Sequence, residues 1–196
     1  MANTIYLIRH GQTSGDVEDR YGGDYDDSLS DEGRRQAVEL AEALSGRGIK
    51  MIFCSPLARA QETAQIVNNE LNVTVETIPE LKERNQYGIL TGIVKAEAKE
   101  KYPEVVQEVK DYKNTIEAAE SYEDFKKRVV AAFEQVRGSG KEAVAVITHG
   151  GQIRTIFREI LNFGEIDVSD CAFAVLEGAG NAFEVRELKG ITSRTD

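Results

Sequence analysis

The chain has 196 residues, enough for one compact domain or for one domain carrying a small cap. Apolar residues make up 41% and charged residues 30%, which excludes an intrinsically disordered chain. Against 34 acidic residues stand 24 basic ones, and the resulting net charge of −10 disfavours a nucleic-acid partner.

No apolar run approaches the ~20 residues needed to cross a bilayer, so no membrane partner is expected. The start Met1-Ala2-Asn3-Thr4 has no basic leader, and Ile5–Ile8 is too short for a secretion signal. Cys54 and Cys171 lie far apart with no ligand-like neighbours, which argues against a zinc site or a disulfide scaffold. A single cytoplasmic domain over residues 1–196, without metal, is the expectation. The sequence leaves its oligomeric state open.

In chain order, Thr4–Ile8 is an almost wholly apolar run that reads as a strand buried on both faces. Loop signals follow at Gly15, Gly22 and Gly23 and in the acidic cluster Asp24, Asp26 and Asp27. Ser30 is expected to cap a helix whose stripe is Ala37, Leu40, Ala41 and Leu44, ended by Gly46 and Gly48. Ile49–Cys54 reads as a second strand. Ser55-Pro56 is expected to open the next helix, with Ser55 as its cap and Ala60, Thr63, Ala64 and Val67 inward.

Val73–Ile78 reads as a third strand, and Val94–Asn114 and Tyr122–Val136 as charged amphipathic helices. Ala143–Thr148 (AVAVIT) is a further buried strand, followed by a helix reaching Leu161. Cys171–Glu177 and Ala182–Leu188 are expected to form a terminal hairpin across Gly178–Asn181, with Gly190–Asp196 loose. Alternating strands and helices imply a layered α/β fold: a mostly parallel sheet with helices on both faces, a small helical cap at about 93–122, and the C-terminal antiparallel hairpin. Ligands of such sheets bind beyond the carboxyl ends of the strands.

That rule singles out the chain's two histidines. His10 follows Leu7-Ile8-Arg9 and His149 follows Val146-Ile147-Thr148; each ends an apolar strand and precedes a glycine, where the backbone can turn and a ligand can approach. Paired imidazoles at strand ends suit phosphoryl transfer, one as nucleophile and one as donor to phosphoryl oxygens. Arg9 adjoins the first histidine, and Arg59 lies one turn into the helix after Ser55-Pro56. The helix after His149, starting at Gly150, would offer free N–H groups to an anion.

Five ordered motifs carry a resemblance. Leu7-Ile8-Arg9-His10-Gly11-Gln12-Thr13 resembles the Arg-His-Gly signature of the histidine phosphatase superfamily, which includes cofactor-dependent phosphoglycerate mutases. Asp26–Gly33, Cys54–Ala64, Leu81-Lys82-Glu83-Arg84 with Gly88 and Gly92, and Thr148-His149-Gly150-Gly151 resemble its further motifs, over about residues 4–162. The resemblance implies that His10 becomes phosphohistidine, and that Arg9, Arg59 and His149 hold the phosphoryl group. It implies that Glu83 is the general acid and then the base for water, with Glu80 a competing carboxylate. It places Gln12, Thr13, Asp16, Gly22, Gly23 and Gly150 around the substrate.

Two positions depart from the family pattern. Asp16 stands where Asn is usual, and the acidic loop Glu83–Gly88 is one residue longer before its Tyr87-Gly88 pair. A phosphomonoester hydrolase acting on a small phosphorylated metabolite is the leading expectation, with no cofactor. A phosphoglycerate mutase, which would need 2,3-bisphosphoglycerate, and a non-catalytic phosphate-binding module are the alternatives. His-Gly-Gly in place of the mutases' usual His-Gly-Asn favours hydrolysis, as does the lack of paired arginines between Gly92 and Tyr122. Gly138-Ser139-Gly140-Lys141 precedes a strand and is not expected to bind nucleotide. Lys95, Lys99 and Lys101 read as a solvated helix face, and Tyr87, Tyr102, Tyr112 and Tyr122 as packing for the cap.

Overall fold

Residues 5–8 and 143–147 carry side chains that are apolar on both sides of the backbone, so their strands belong inside a sheet covered on both faces. A computed structural model describes residues 2–179 and 182–194 and shows that arrangement. In order the elements are β1 (Thr4–Arg9), α1 (Ser14–Val17), α2 (Asp31–Leu44), β2 (Met51–Cys54), α3 (Ala58–Leu71) and β3 (Thr74–Thr77). They continue with α4 (Lys95–Lys101), α5 (Pro103–Glu108), α6 (Tyr122–Arg137), β4 (Ala143–Thr148), α7 (Gly150–Thr155), β5 (Ile166–Ala179) and β6 (Ala182–Ser193). The sheet order is β3-β2-β4-β1-β5-β6, parallel from β3 to β1 and antiparallel through β5 and β6.

The two-residue alternation sorts the core. Tyr6, Ile8, Ile52, Cys54, Ala145 and Ile147 face α2 and α3, meeting Leu40, Leu44, Ala60, Ala64 and Val67. Ile5, Leu7, Phe53, Val144 and Val146 face α6 and α7, meeting Phe125, Val129, Phe133, Ile153 and Phe157. A third apolar cluster gathers Leu90, Ala98, Val106, Val109 and Ile116 with Tyr21 and Tyr87 packed against it. The segment expected as a cap over 93–122 therefore packs together with residues that precede it.

Four local expectations are corrected. Ser55 does not cap α3, which starts at Ala58; the carboxylate of Asp26 accepts the Ala58 N–H at 2.7 Å, while the Ser55 hydroxyl turns to His149. The helix expected over 94–114 breaks at Tyr102, because Pro103 lacks an N–H and disfavours a helical residue before it. The third strand keeps only Thr74–Thr77, an exposed edge. The terminal hairpin is longer than expected: β5 starts at Ile166, and Gly190–Ser193, expected to be loose, belong to β6, with Ile191 buried in the core. Residues 180–181 of the expected turn and the last two residues lie outside the described residues.

Candidate active site

The register of β1 on β4 pairs Arg9 with Thr148, so the next residues, His10 and His149, emerge side by side. Their ring centroids are 5.0 Å apart, edge to face. Gly11 is required by close packing rather than by a turn: a Cβ there would stand 2.5 Å from the Gly33 carbonyl oxygen at the start of α2.

A hydrogen bond to a carbonyl settles the tautomer of His10. His10 Nδ1 lies 2.7 Å from the Gly11 carbonyl, so it carries the proton; Nε2 accepts from Arg59 Nε at 3.1 Å and holds a lone pair. His149 Nε2 lies 2.7 Å from Ser55 Oγ, a contact in which either the hydroxyl or the ring can donate, and the same hydroxyl accepts the Leu57 N–H. His149 Nδ1 is buried and has no partner among the described residues. Burial, then the charge of Arg59, holds both rings well below the ordinary histidine range, and Arg9 adds to it; His10 and His149 are neutral.

The two arginines are held by protein oxygens. Arg9 donates to the Val168 carbonyl at 2.7 Å and pairs with Asp170 at 2.8 Å, both from the irregular stretch of β5. Arg59, buried, donates to Gly23 O at 2.7 Å, to Tyr25 O, and to Asp27 Oδ1 at 3.0 Å. The second oxygen of Asp27 accepts the Gly15 N–H at 3.0 Å, so one buried carboxylate ties α3 to the loop before α2 and to α1.

Glu83 sits on the opposite side. Its Oε1 accepts the Arg84 N–H at 2.9 Å and its Oε2 the Gly151 N–H at 2.8 Å. The backbone of its loop is clamped from three elements. Thr148 Oγ1 donates to Leu81 O, Gln152 Nε2 to the carbonyls of Glu80 and Lys82, and Arg128 to the carbonyls of Glu80, Lys82 and Glu83. Arg84 in turn spends its guanidinium on the carbonyls of Tyr112, Asn114 and Glu120, fastening the end of the cap segment to the same loop.

These groups open on a cavity of about 460 Å³. Arg9, His10, Thr13, Asp16, Gly22, Gly23, Arg59, Glu83 and Gly150 line it; Glu80 does not. Gln12 does not line it, and its amide oxygen accepts from Ser30 Oγ at 2.8 Å. His149 is also off the wall, fully buried beside His10. Asp16 is on the wall with Oδ2 turned back to accept from Thr13 N and Oγ1, the reciprocal cap of α1.

The wall is strongly basic although the chain is acidic. Nine cations (Arg9, Arg20, Arg59, Arg84, Lys95, Lys110, Arg154, Arg158 and Arg194) face four carboxylates (Asp16, Asp27, Glu83 and Glu165). Lys95, expected on a solvated face, is one of them; Tyr87, Tyr112 and Tyr122, expected only as packing, line the wall too. Sequence reasoning missed Asp27, Ser55, Arg154 and Asp170 as site residues. For Ser55 a signal existed: β2 lies beside β4 with Cys54 opposite Ile147, so residue 55 must end near residue 149.

Comparison with known proteins agrees with this geometry. A family model described as "Histidine phosphatase superfamily (branch 1)" matches residues 5–189. A metal-independent phosphoserine phosphatase of Arabidopsis thaliana is 32% identical over 193 residues, covering 95% of this chain and 78% of the relative. A 2,3-bisphosphoglycerate-dependent phosphoglycerate mutase of Parvibaculum lavamentivorans is 28% identical over 204 residues, covering 99% and 96%. Among solved structures, Bacillus stearothermophilus YhfR superposes with a TM-score of 0.86 over 98% of both chains at 24% identity, a likeness of fold.

Proposed function

The chain belongs to the histidine phosphatase superfamily, whose phosphatases and mutases are enzymes, and from that membership we propose that it hydrolyses small phosphomonoesters through a phosphohistidine on His10. One observation carries the reading: the unprotonated Nε2 of a neutral, oriented His10 on the wall of a basic cavity, whose lone pair becomes available for attack when the Arg59 N–H now on it turns to a phosphoryl oxygen. In the first step Nε2 attacks phosphorus and the bond to the leaving oxygen breaks, while Glu83 gives that oxygen a proton. Arg9, Arg59 and the buried, unpartnered Nδ1 of His149, in the tautomer that protonates it, are assigned to the phosphoryl oxygens, where fixed donors stabilise the charge of the transition state. In the second step Glu83, now a carboxylate, takes a proton from water, which attacks phosphohistidine and releases inorganic phosphate and His10.

Hydrolysis is favoured over mutase action by Gly151. A Cβ there would lie 2.4 Å from Glu83 Oε1, so the larger residue usual in mutases would require the flexible end of Glu83 to shift. The reaction asks for no metal and no cofactor; 2,3-bisphosphoglycerate would enter only in a mutase. A small phosphorylated metabolite in the cytoplasm is the proposed substrate, and no nucleic-acid or membrane partner is invoked.

The test is turnover of p-nitrophenyl phosphate beside conversion of 3-phosphoglycerate to 2-phosphoglycerate, with and without 2,3-bisphosphoglycerate. Hydrolysis, an acid-labile and base-stable phosphoenzyme, and loss of both in His10→Ala are expected. Isomerisation outpacing hydrolysis would make it a mutase. Binding of phosphate without either reaction would leave a non-catalytic module.

A further inference from the structure

Arg9 and Arg59 are assigned to the phosphoryl group, and most of the cavity's other cations are already paired with protein groups. Arg9, Arg59, Arg158 and Arg194 close ion pairs with Asp170, Asp27, Glu165 and Asp167, and Arg20 and Lys95 with Glu18 and Asp19. Arg84 is consumed by three carbonyls, and Lys110 bonds Gln107 on an exposed helix end. Arg154 differs from all of these. Its Nε alone is bonded, to the Ile166 carbonyl at 3.3 Å, and among the described residues its two terminal nitrogens have neither a hydrogen bond nor an ion pair.

The place of that guanidinium is defined by the first turn of α7. A methyl group on Gly150 would stand 3.1 Å from Arg154 Nη1, and one on the next residue, Gly151, would meet Glu83. Arg154 and Glu83 therefore converge over the same turn, on the side of the cavity where the proposed acid meets the leaving oxygen. Burial lowers the proton affinity of this guanidinium, and Glu83 and Arg9 are among the charges that act on it. A half-buried, planar donor fork with no acceptor for its terminal nitrogens among the described residues is suited to an oxyanion.

We infer that Arg154 binds a second anionic group on the substrate, a carboxylate or a further phosphate carried by the leaving alcohol, and so selects doubly anionic phosphomonoesters. The inference rests on the phosphatase reading for its direction, because it places Arg154 on the leaving-group side of Glu83.

The experiment uses matched pairs: phosphoserine against phosphoethanolamine for a carboxylate, and fructose 1,6-bisphosphate against fructose 6-phosphate for a second phosphate. Wild type is expected to prefer the doubly anionic member of at least one pair. Arg154→Met should shrink that kcat/KM preference about 10- to 100-fold, the range of a hydrogen bond between charged groups, chiefly through KM. Arg154→Lys should restore part of it, which a mere folding defect would not. The pair that responds identifies the anion. Equal losses on both members, or no preference in wild type, overturn the inference. Calorimetric binding of the same pairs to His10→Asn, with and without Arg154→Met, reads the subsite without turnover. Absent p-nitrophenyl phosphate hydrolysis with the binding preference intact would thus sink the phosphatase reading alone.

Discussion

Glu83 and Gly151 are in mutual contact: one carboxylate oxygen accepts the Gly151 N–H at 2.8 Å, and the other would be 2.4 Å from any Cβ placed on that residue. The absence of a side chain at residue 151 is what lets the Glu83 carboxylate sit against the first turn of α7. Gly151→Ala should therefore drive Glu83 away from its position without touching either histidine. With an alkyl phosphate, whose alkoxide must be protonated as it leaves, kcat should fall about 10²-fold, the lower range of general acid catalysis. With p-nitrophenyl phosphate, which leaves unaided, the first step should change little. Single-turnover measurements isolate that step, and Glu83→Gln should show the same split. Equal losses for both leaving groups would remove Glu83 as the acid.

The Asp27–Arg59 pair gives a stability test. Both side chains are about 5% exposed, and Asp27 also holds the Gly15 N–H. Removing one partner leaves a buried charge unpaired, which costs about 3–5 kcal/mol, and Asp27→Ala should lose that much in urea unfolding. Asp27→Asn keeps an acceptor for Gly15 and should lose less. A loss below about 1 kcal/mol in Asp27→Ala would show that the carbonyls of Gly23 and Tyr25 suffice to hold Arg59.

How far the site can be read from the sequence follows from how local each signal is. His10 and His149 are legible because the apolar runs before them are strands by composition, and a parallel pair in register brings their ends together. The break before Pro103 is equally local, resting on one residue that interrupts the amphipathic pattern of 94–114. Asp27, Asp170 and Arg154 are not legible in this way, because their roles depend on partners 32, 161 and 12 residues away. The ends of the terminal hairpin were hidden by Gly190 and by the irregular pairing between Val168 and Phe173, which interrupt the alternation that marks a strand. For Gln12, beside the histidine motif, the sequence does not show that Ser30 Oγ donates to its amide oxygen from 18 residues away.

Two neutral buried histidines set an acid limit on stability. Burial and the arginines lower both rings well below 6.5, the value they regain when unfolded. Above that pH the rings are neutral in both states and add nothing. As pH falls below 6.5 the unfolded chain takes up protons that the folded one refuses, so stability drops by up to about 1.4 kcal/mol per pH unit for each ring. Urea midpoints between pH 7 and pH 5 should fall accordingly, and His149→Gln should flatten the slope by one proton. An unchanged slope in that variant would mean that His149 is protonated in the folded protein.

Asp16 separates charge from structure. Its Oδ2 accepts from Thr13 N and Oγ1, a task an asparagine oxygen can take over, while the charge itself stands on the wall of the cavity proposed to take a phosphate dianion. Asp16→Asn should keep the cap of α1 and remove a repulsion, lowering KM for phosphomonoesters by about 3- to 10-fold once solvent screening is allowed for. Asp16→Ala removes the charge and the cap together. If charge is what matters, KM falls in both variants, and only the alanine variant loses thermal stability. If Asp16 matters through the position of Thr13, KM stays unchanged in Asp16→Asn and rises in Asp16→Ala. Raising the salt concentration adds a second reading: the KM difference between wild type and Asp16→Asn should narrow as the repulsion is screened.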